Sequence, residues 1–202
     1  MTLEEYYGSK LPAMLYTKQY LLNIISRYPQ TDQKELKPII YCCSRIKSPE
    51  SMIRKLSARG LPQDGMSAST KIYDAVGVRI VCAFAEDVYK IADWLKNQSD
   101  IIIENEKDYI AYPKENGYRS YHLKVRLRAN NTCAEIQIRT IATDFWATLE
   151  HQLKYKKDIP HKELIRSELK RCADEIASVD LSMQTIRDII RTSISEENNR
   201  SI

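Results

Sequence analysis

One loop-forming stretch, "YPKENGYRSYHL" at 112–123, carries more chemistry than a turn requires. Its proline, asparagine and glycine favour a turn, yet it also holds Lys114, Tyr118 and His122. An aromatic ring stacks on a nucleobase with about 1–3 kcal/mol, and a lysine neutralises phosphate charge. The stretch is therefore a candidate nucleotide-binding loop. Taken alone, Tyr118 is better explained as a loop anchor and His122 as a satisfied surface histidine.

Two acidic residues are candidate metal ligands. Asp74 stands directly before the apolar run "AVGVRIVC", and a carboxylate at a strand end can present a ligand to Mg²⁺. Glu135 lies in "AEIQIRT", where alternation puts it on one face with Gln137 and Arg139. This row predicts a polar cleft. Two other interpretations stay open: Asp74 as a turn residue or helix cap, and the row as a solvated sheet face.

Basic residues converge on a helix start in "RIKSPESMIRK" at 45–55. The serine and proline at its centre predict an N-cap and a first turn. Cations beside a helix N-terminus are a common way to hold phosphates. The candidate phosphate-binding residues are Arg45, Lys47, Ser51 and Lys55. A solvated basic face is the alternative interpretation.

Arg79 stands inside an otherwise apolar strand. A guanidinium in that position needs a partner or must face a cleft. Strict alternation puts Asp74 and Arg79 on opposite faces of the strand. Either the strand therefore starts with a bend, or Gly77 marks a bulge.

The composition excludes several classes of protein. The formal net charge is +4, which favours anionic partners. The five cysteines include no CxxC pair, so neither a disulfide framework nor a zinc site is expected. No apolar run reaches the roughly 18 residues of a membrane span, and the polar start "MTLEEYYGSK" predicts no signal peptide. The expected compartment is the cytosol, with no membrane partner. Carboxylates, cationic clusters and an aromatic loop together predict phosphoryl-type transfer between nucleotides.

The elements that must position these residues follow from hydrophobic periodicity. The predicted helices are 9–28, 33–43, 48–60, 86–98, 142–156 and 161–194. The predicted strands are 75–84, one or two segments within 100–112, 121–128 and 133–140. This order predicts an α+β fold in which a mixed, mostly antiparallel sheet is flanked by helices.

The last predicted helix carries a heptad seam of apolar residues. Its members are Ile165, Leu169, Cys172, Ile176, Val179, Met183, Ile186 and Ile190. The seam either packs on its own domain or joins subunits, and both interpretations stay open. We expect a catalytic domain at 1–156, with N-terminal helices within 1–43, and a C-terminal helical arm at 157–202 that is a candidate for oligomerisation.

Four motifs, in this order, resemble those of the RelA/SpoT-type alarmone synthetases, specifically the small single-domain ones. They are "RIKSPESMIRK", "YDAVGVRIVC", "YPKENGYRSYHL" and "AEIQIRTIATDFWATLEHQLKYK", from about Arg45 to Lys156. The resemblance implies a nucleotidyltransferase-like fold and a GTP pyrophosphokinase that lacks the hydrolase module. Such an enzyme uses Mg²⁺ to transfer the β,γ-pyrophosphate of ATP to the ribose 3′-hydroxyl of GDP or GTP. The products are the (p)ppGpp messengers of the stringent response.

The same resemblance implies a role for each matching residue. Arg45 and Arg79 would sandwich adenine, and the ATP phosphates would be held by Lys47, Ser51, Lys55 and, more weakly, Arg59. Asp74 would bind Mg²⁺, and Glu135 would assist at the metal and act as general base. Tyr118 would stack on guanine. The guanosine phosphates would be engaged by Lys107, Lys114 and His122, with Gln137 nearby. Asp144 stands at a guanosine-contacting position where many small synthetases have asparagine.

The expected partners are ATP with GDP or GTP, and other copies of the chain, since some small synthetases are tetramers. No nucleic acid is expected. Two further hypotheses stay open: a toxin-like relative that pyrophosphorylates the 3′ end of tRNA, and a catalytically inactive nucleotide-binding module that signals through its helical arm.

Overall fold

The chain folds into a five-stranded sheet and six helices in the residues that the structure describes. The structure is a computed structural model, and it describes residues 1–29, 37–154 and 161–200. The strands are β1 (Ile39–Ile46), β2 (Val76–Cys82), β3 (Ile101–Asp108), β4 (Tyr121–Leu127) and β5 (Cys133–Thr140). The helices are α1 (Leu3–Ser26), α2 (Pro49–Ala58), α3 (Gly65–Lys71), α4 (Ala85–Lys96), α5 (Ile141–Lys154) and α6 (Lys162–Arg200). The predicted α+β class, with its long C-terminal helix, is confirmed.

The sheet has the order β1-β2-β5-β4-β3. β2 and β5 run parallel, and the other neighbouring pairs are antiparallel. One face is apolar: Ile80, Leu123 and Ile136 are fully buried there, in one core cluster with residues of α1 and α4. These two helices cover that face, which leaves the other face of the sheet for polar side chains.

The strand register explains why the candidate residues share the polar face, since side chains of paired residues point the same way. One row across the sheet is Arg45, Gly77, Glu135, Lys124 and Asn105. The next row is Cys43, Arg79, Gln137, His122 and Lys107. Side chains far apart in sequence are thereby brought side by side.

The open question about Asp74 and Arg79 is answered by the start of β2. Val76 is its first residue, so Asp74 lies in the preceding turn rather than in the strand. From Val76 to Cys82 the pairing with β5 advances one residue at a time, without a bulge at Gly77. The bend before the strand therefore turns Asp74 toward the face that carries Arg79.

Two elements were missing from the predictions. The helix predicted at 33–43 is wrong from residue 37 onward, because residues 37 and 38 are not helical and β1 begins at Ile39; residues 33–36 lie outside the described part of the chain. β1 is an edge strand whose order depends on pairing with β2, which periodicity alone does not reveal. α3 was not predicted; the Asp64 side chain caps it by accepting a hydrogen bond from Ser67 N at 2.7 Å. The region 100–112 holds one strand.

The seam on α6 is divided between two environments. Leu169, Cys172 and Ile176 pack within the chain, against a small cluster formed by Trp146, Ala147 and Ala173. The outer members Val179, Met183, Ile186 and Ile190 remain 48–56 % exposed. The inner half of the seam therefore belongs to the chain's own packing. The division at residue 156 stays a prediction.

Long-range ion pairs fasten the distal part of α6 to α4. Arg187 donates two hydrogen bonds of 2.8 Å to Asp87 and one of 2.5 Å to Glu86. Arg187 also lies over the ring of Phe84, 4.2 Å from its centroid. α6 is thus held across the body of the fold. Among the helices in the described part of the chain, none combines the length and the apolar run needed to cross a membrane.

Candidate active site

The polar face of the sheet forms the floor of a cleft of about 1380 Å³. Its walls come from the end of α2, the loop around Tyr118, and parts of α5 and α6. Nine of the predicted site residues line it: Lys55, Arg59, Asp74, Lys107, Lys114, Tyr118, His122, Glu135 and Gln137. The remaining four, Arg45, Lys47, Ser51 and Arg79, lie outside this lining. The two halves of the predicted constellation therefore meet at one cleft.

Asp74 is held between two lysines. Its Oδ2 lies 3.0 Å from Lys47 Nζ and 2.6 Å from Lys55 Nζ. Burial alone would raise the pKa of Asp74, but hydrogen bonds and charge from Lys55 and Lys47 outweigh it and lower that pKa. Its Oδ1 is buried and has no hydrogen-bond partner in the described part of the chain. The site thus presents an ionised carboxylate with one unused oxygen.

The backbone around Lys47 explains its position. Lys47 N donates to Ala75 O at 2.8 Å, and Tyr7 OH donates to Lys47 O at 2.6 Å. The first bond ties the end of β1 to the turn that holds Asp74, and the second ties it to α1. Lys55 reaches the same carboxylate from the last turn of α2. Ser51 is placed differently, because its hydroxyl accepts hydrogen bonds from Ser48 at 3.1 Å and Arg54 at 2.9 Å.

Arg59, the weaker candidate, lines the cleft while donating to Lys71 O at 3.1 Å. Arg45 lies across Gly77: a Cβ on that glycine would sit 3.6 Å from Arg45 Cγ. Arg79 is two residues further along β2 on the same face, with its NH1 3.2 Å from Asp144 Oδ1. Its Nε is buried without a hydrogen-bond partner in the described chain. Two guanidinium groups therefore flank one part of the polar face.

Glu135 lies on β5 two residues before Gln137, and His122 of β4 pairs with Gln137. Gln137 Nε2 donates to Glu135 Oε2 at 3.2 Å, and His122 Nδ1 lies 3.5 Å from Oε1. Burial would raise the pKa of Glu135, but the bonds from His122 and Gln137 and the charge of Lys55 lower it to about 2. The carboxylate is ionised at neutral pH, which suits cation binding. A base this weak requires that the proton it accepts be acidified by another group.

The loop predicted from sequence forms a turn, in which Gly117 N donates to Lys114 O at 2.8 Å. Gly117 has φ +85°, a conformation that favours glycine. A Cβ there would lie 2.5 Å from the Ala173 side chain of α6. Arg119 also bonds to α6, donating to Asp174 at 2.9 Å. α6 therefore supports the loop that presents Tyr118.

Tyr118 is fixed by a directed chain of hydrogen bonds. Arg139 NH2 donates to its hydroxyl at 2.7 Å, so the hydroxyl proton is free to bond His122 Nε2, which is 2.9 Å away. His122 Nε2 then accepts, and its Nδ1 carries the proton that faces Glu135. Lys114 Nζ lies 4.8 Å from the centroid of the Tyr118 ring. The Arg139 guanidinium also lies over this ring, with its Cζ 5.1 Å from the centroid, so two cations lie against Tyr118.

Comparison with known proteins gives a consistent assignment. The family described as "Region found in RelA / SpoT proteins" matches residues 44–160. The chain belongs to the RelA/SpoT family. It is 42 % identical over 158 residues, 74 % of each chain, to the GTP pyrophosphokinase YwaC of Bacillus subtilis. The structure of small alarmone synthetase 1 from Bacillus subtilis bound to its product pppGpp superposes with TM-score 0.77 and 32 % identity, covering 93 % of this chain and 97 % of that one.

A second solved relative agrees. Small alarmone synthetase 2 from Bacillus subtilis has TM-score 0.76 and 36 % identity, covering 90 % of this chain and 98 % of that one. The resemblance recognised from four sequence motifs is thus confirmed, together with the fold that it implied.

The residues present fit a magnesium ion bound together with a nucleotide. No group of three or more His, Cys, Asp and Glu residues that could hold a metal occurs in the described part of the chain. Mg²⁺ commonly uses one or two carboxylates together with substrate phosphates and water. Asp74 supplies an ionised oxygen without a partner, and Lys55 lies near enough to Glu135 to lower its pKa as well.

Some residues of the site were not among those predicted. Arg139 was placed on the face of Glu135 but given no role, and Asp144 received only a guanosine contact from the resemblance. Asp144 is 4 % exposed and forms ion pairs with two arginines, Arg79 and Arg139. Tyr109 lines the cleft with Lys114 Nζ 4.6 Å from its ring centroid, and no periodic signal marks it. The α6 residues Lys162 and Arg166 line the far wall.

Proposed function

We propose that the chain transfers the β,γ-pyrophosphate of ATP to the ribose 3′-hydroxyl of GDP or GTP. The 3′-oxygen attacks the β-phosphorus, the bond from that phosphorus to the α,β-bridging oxygen breaks, AMP leaves, and the hydroxyl proton passes to a base. The observation that carries this proposal is Asp74: an ionised carboxylate with an unused oxygen, between two lysines, in the cleft that also holds Glu135 and Tyr118. The class of enzyme, a GTP pyrophosphokinase, is confirmed by the likeness to YwaC.

On the donor side, Arg45 and Arg79 bind adenine between guanidinium planes, which stack on aromatic faces. Lys47, Lys55 and Arg59 neutralise the transferred phosphates, with Ser51 at the edge of this group. Charge neutralisation is the main requirement, because several negatively charged phosphates come together in the reaction and the protein forms no covalent bond with them. Burial of Lys47 at 8 % exposure strengthens its interaction with a bound phosphate.

On the acceptor side, Tyr118 stacks on guanine, and Lys107, Lys114 and His122 engage the phosphates with Gln137 beside them. The loop reads the base and neutralises phosphate at once, which explains its mixture of aromatic and basic residues. His122 also orients Glu135, since its Nδ1 faces that carboxylate. Glu135 accepts the 3′-hydroxyl proton.

Asp74 and Glu135 would hold Mg²⁺. When bound, the ion would neutralise phosphate charge and lower the pKa of the hydroxyl. The low pKa of Glu135 makes such help necessary, because a carboxylate with a pKa of about 2 is a weak base toward an unperturbed alcohol. The products would serve the stringent response in the cytoplasm.

The acceptor can be determined with ATP labelled at the γ-phosphate. The protein is incubated with Mg²⁺ and, separately, GDP, GTP or tRNA, and the products are resolved. We expect label on a guanosine nucleotide, and the faster acceptor gives the preference. Label on tRNA alone would replace the proposal by the toxin-like activity. Nucleotide binding without transfer to any acceptor would support an inactive signalling module instead.

A further inference from the structure

Asp144 lies between two arginines: Arg79 of β2, and Arg139 of β5, which bonds to Tyr118. It is the acidic residue in the first turn of α5, where a helix N-terminus favours negative charge. The start of this helix is fixed by Thr140 and Thr143, whose side chains accept hydrogen bonds from each other's backbone N–H at 3.1 and 3.0 Å. The carboxylate is 4 % exposed. Its position is therefore set by the fold and not by solvent.

On the donor side, Asp144 orients Arg79. Arg79 NH1 lies 3.2 Å from Asp144 Oδ1, while Arg79 Nε has no hydrogen-bond partner in the described residues. The ion pair with Asp144 is thus a polar contact that directs this guanidinium. A movement of Arg79 on nucleotide binding would act directly on the Asp144 carboxylate.

On the acceptor side, the same oxygen holds Arg139. Arg139 NH1 donates to Asp144 Oδ1 at 2.9 Å, and its NH2 donates to the Tyr118 hydroxyl at 2.7 Å and to Gln137 at 2.8 Å. Arg139 is 5 % exposed, so water does not readily replace these bonds. Two side chains therefore connect Arg79 to Tyr118.

The second oxygen of Asp144 is also used. It accepts a hydrogen bond from Tyr41 OH of β1. Burial and this bond raise the pKa of Tyr41 to about 12, so its hydroxyl stays protonated and remains a donor. With both oxygens engaged, the carboxylate cannot rotate without breaking a bond to one of the three partners.

We propose that Asp144 is a positioning residue that couples the two substrate sites: it holds Arg79 on the ATP side and, through Arg139, Tyr118 on the guanosine side. The inference rests on the proposed function, which assigns these two residues to adenine and guanine. When ATP fixes the position of Arg79, the Asp144 carboxylate also fixes Arg139 and, through it, Tyr118. When the guanosine nucleotide fixes Tyr118, the same contacts fix Arg79. The effect is reciprocal, as thermodynamic linkage requires.

The test is calorimetric binding of the non-hydrolysable ATP analogue AMPCPP, without GDP and with saturating GDP. In the unaltered protein we expect GDP to tighten AMPCPP binding about fivefold or more, the lower end of usual coupling. In Asp144→Asn, which keeps the size but loses the charge shared by two arginines, GDP should change AMPCPP binding less than about twofold. We call the factor by which one nucleotide changes the dissociation constant of the other the coupling ratio. The reverse titration, GDP with and without AMPCPP, should give the same coupling ratio for each protein.

Two further variants separate coupling from folding. Asp144→Asn weakens buried ion pairs and risks poor folding. Tyr41→Phe instead leaves every charge in place and should lower the coupling ratio to a smaller extent. Asp93→Asn, at a side chain 68 % exposed on α4, is the matched control and should keep the ratio unchanged.

Several results would overturn the inference. One is a ratio near one in the unaltered protein when both nucleotides bind, and another is a ratio in Asp144→Asn equal to that of the control. Unchanged coupling in Tyr41→Phe would decide against it if Asp144→Asn does not fold. Failure of the unaltered protein to bind either nucleotide would instead remove the proposed function, and this inference with it.

Discussion

At the residue scale, the Glu135 carboxylate makes the free energy of unfolding depend on pH in the acidic range. Its pKa is about 2 in the folded protein and about 4.3 in an unfolded chain. A depressed folded pKa contributes stability that is present above the unfolded pKa and is lost as the pH falls toward the folded pKa. Asp74, whose pKa is also lowered, acts in the same direction.

We therefore expect the free energy of unfolding to fall between about pH 4.5 and pH 2. The part due to Glu135 is on the order of 3 kcal/mol, and it should be absent from Glu135→Gln. Urea denaturation of both proteins across this range measures the difference. Parallel stability curves for the two proteins would mean that Glu135 is not held as an anion by His122 and Gln137.

Tyr118 offers a second test at this scale, because its ring and its hydroxyl have separate roles. Tyr118→Ala removes both and should raise the KM for the guanosine nucleotide about tenfold or more, as expected for a lost stacking contact. Tyr118→Phe keeps the ring and loses the hydroxyl's hydrogen bonds with Arg139 and His122, at about 1 kcal/mol each, so its effect on this KM should be smaller than that of Tyr118→Ala. AMPCPP binding measured without GDP should survive in both. Equal loss of both nucleotides would make the loop purely structural.

At the scale of elements, α6 supports the acceptor loop through Gly117. Gly117→Ala combines a positive φ with a 2.5 Å clash against Ala173. Gly60 has φ +64° but nothing within 4 Å of an added Cβ, so Gly60→Ala isolates the backbone strain. We expect about 1 kcal/mol of destabilisation at Gly60 and clearly more at Gly117. The KM for guanosine nucleotide should rise in the Gly117 variant alone.

Thermal unfolding and substrate kinetics of the two variants decide this point. Similar melting temperatures and equal KM values would show that α6 yields at Ala173 without disturbing the loop. Gly8→Ala provides a further reference, since Gly8 lies within α1 with open space around it and should gain stability by about 0.5–1 kcal/mol.

The elements also show what sequence reasoning can reach. β4 and β5 were predicted because strict alternation is a local property, and the loop before β4 because proline and glycine punctuate it. β1 was missed because its extended form depends on pairing with β2. The start of α1 was placed at residue 9, although Thr2 and Glu5 form a capping box that begins the helix at Leu3. Local chemistry was readable and tertiary pairing was not.

The site divides in the same way. Asp74, Glu135 and Tyr118 follow from residue type and from motifs that resemble a known family. The link from Asp144 to Arg79 and Arg139 joins α5 to two strands, and nothing in the spacing of those residues predicts it. The bend that turns Asp74 toward the cleft also had to be seen, since alternation alone left two possibilities open.

At the scale of the whole molecule, we propose that the exposed half of the α6 seam joins copies of the chain. Met183→Asp with Ile186→Asp places charge on side chains that are 48 % and 49 % exposed. These changes should lower the sedimentation mass and leave the melting temperature nearly unchanged. Ile176→Asp is the matched control, because Ile176 packs within the chain and its loss should reduce stability instead.

An unaltered mass in the Met183/Ile186 variant would mean that this face does not mediate assembly. The resemblance to small synthetases, some of which are tetramers, makes a tetramer one expected oligomer, and the sedimentation mass of the unaltered protein tests that directly.

We propose that Asp74 and Glu135 together perform pyrophosphate transfer in one cleft. The most direct measurement is the initial rate of γ-label transfer from ATP to GDP or GTP in Mg²⁺, for the unaltered protein, Asp74→Asn and Glu135→Gln. We expect rapid transfer by the first and a loss of at least about a thousandfold, roughly 4 kcal/mol, in each variant with retained fold. Transfer at an undiminished rate by either folded variant would show that the changed carboxylate is not needed for pyrophosphate transfer.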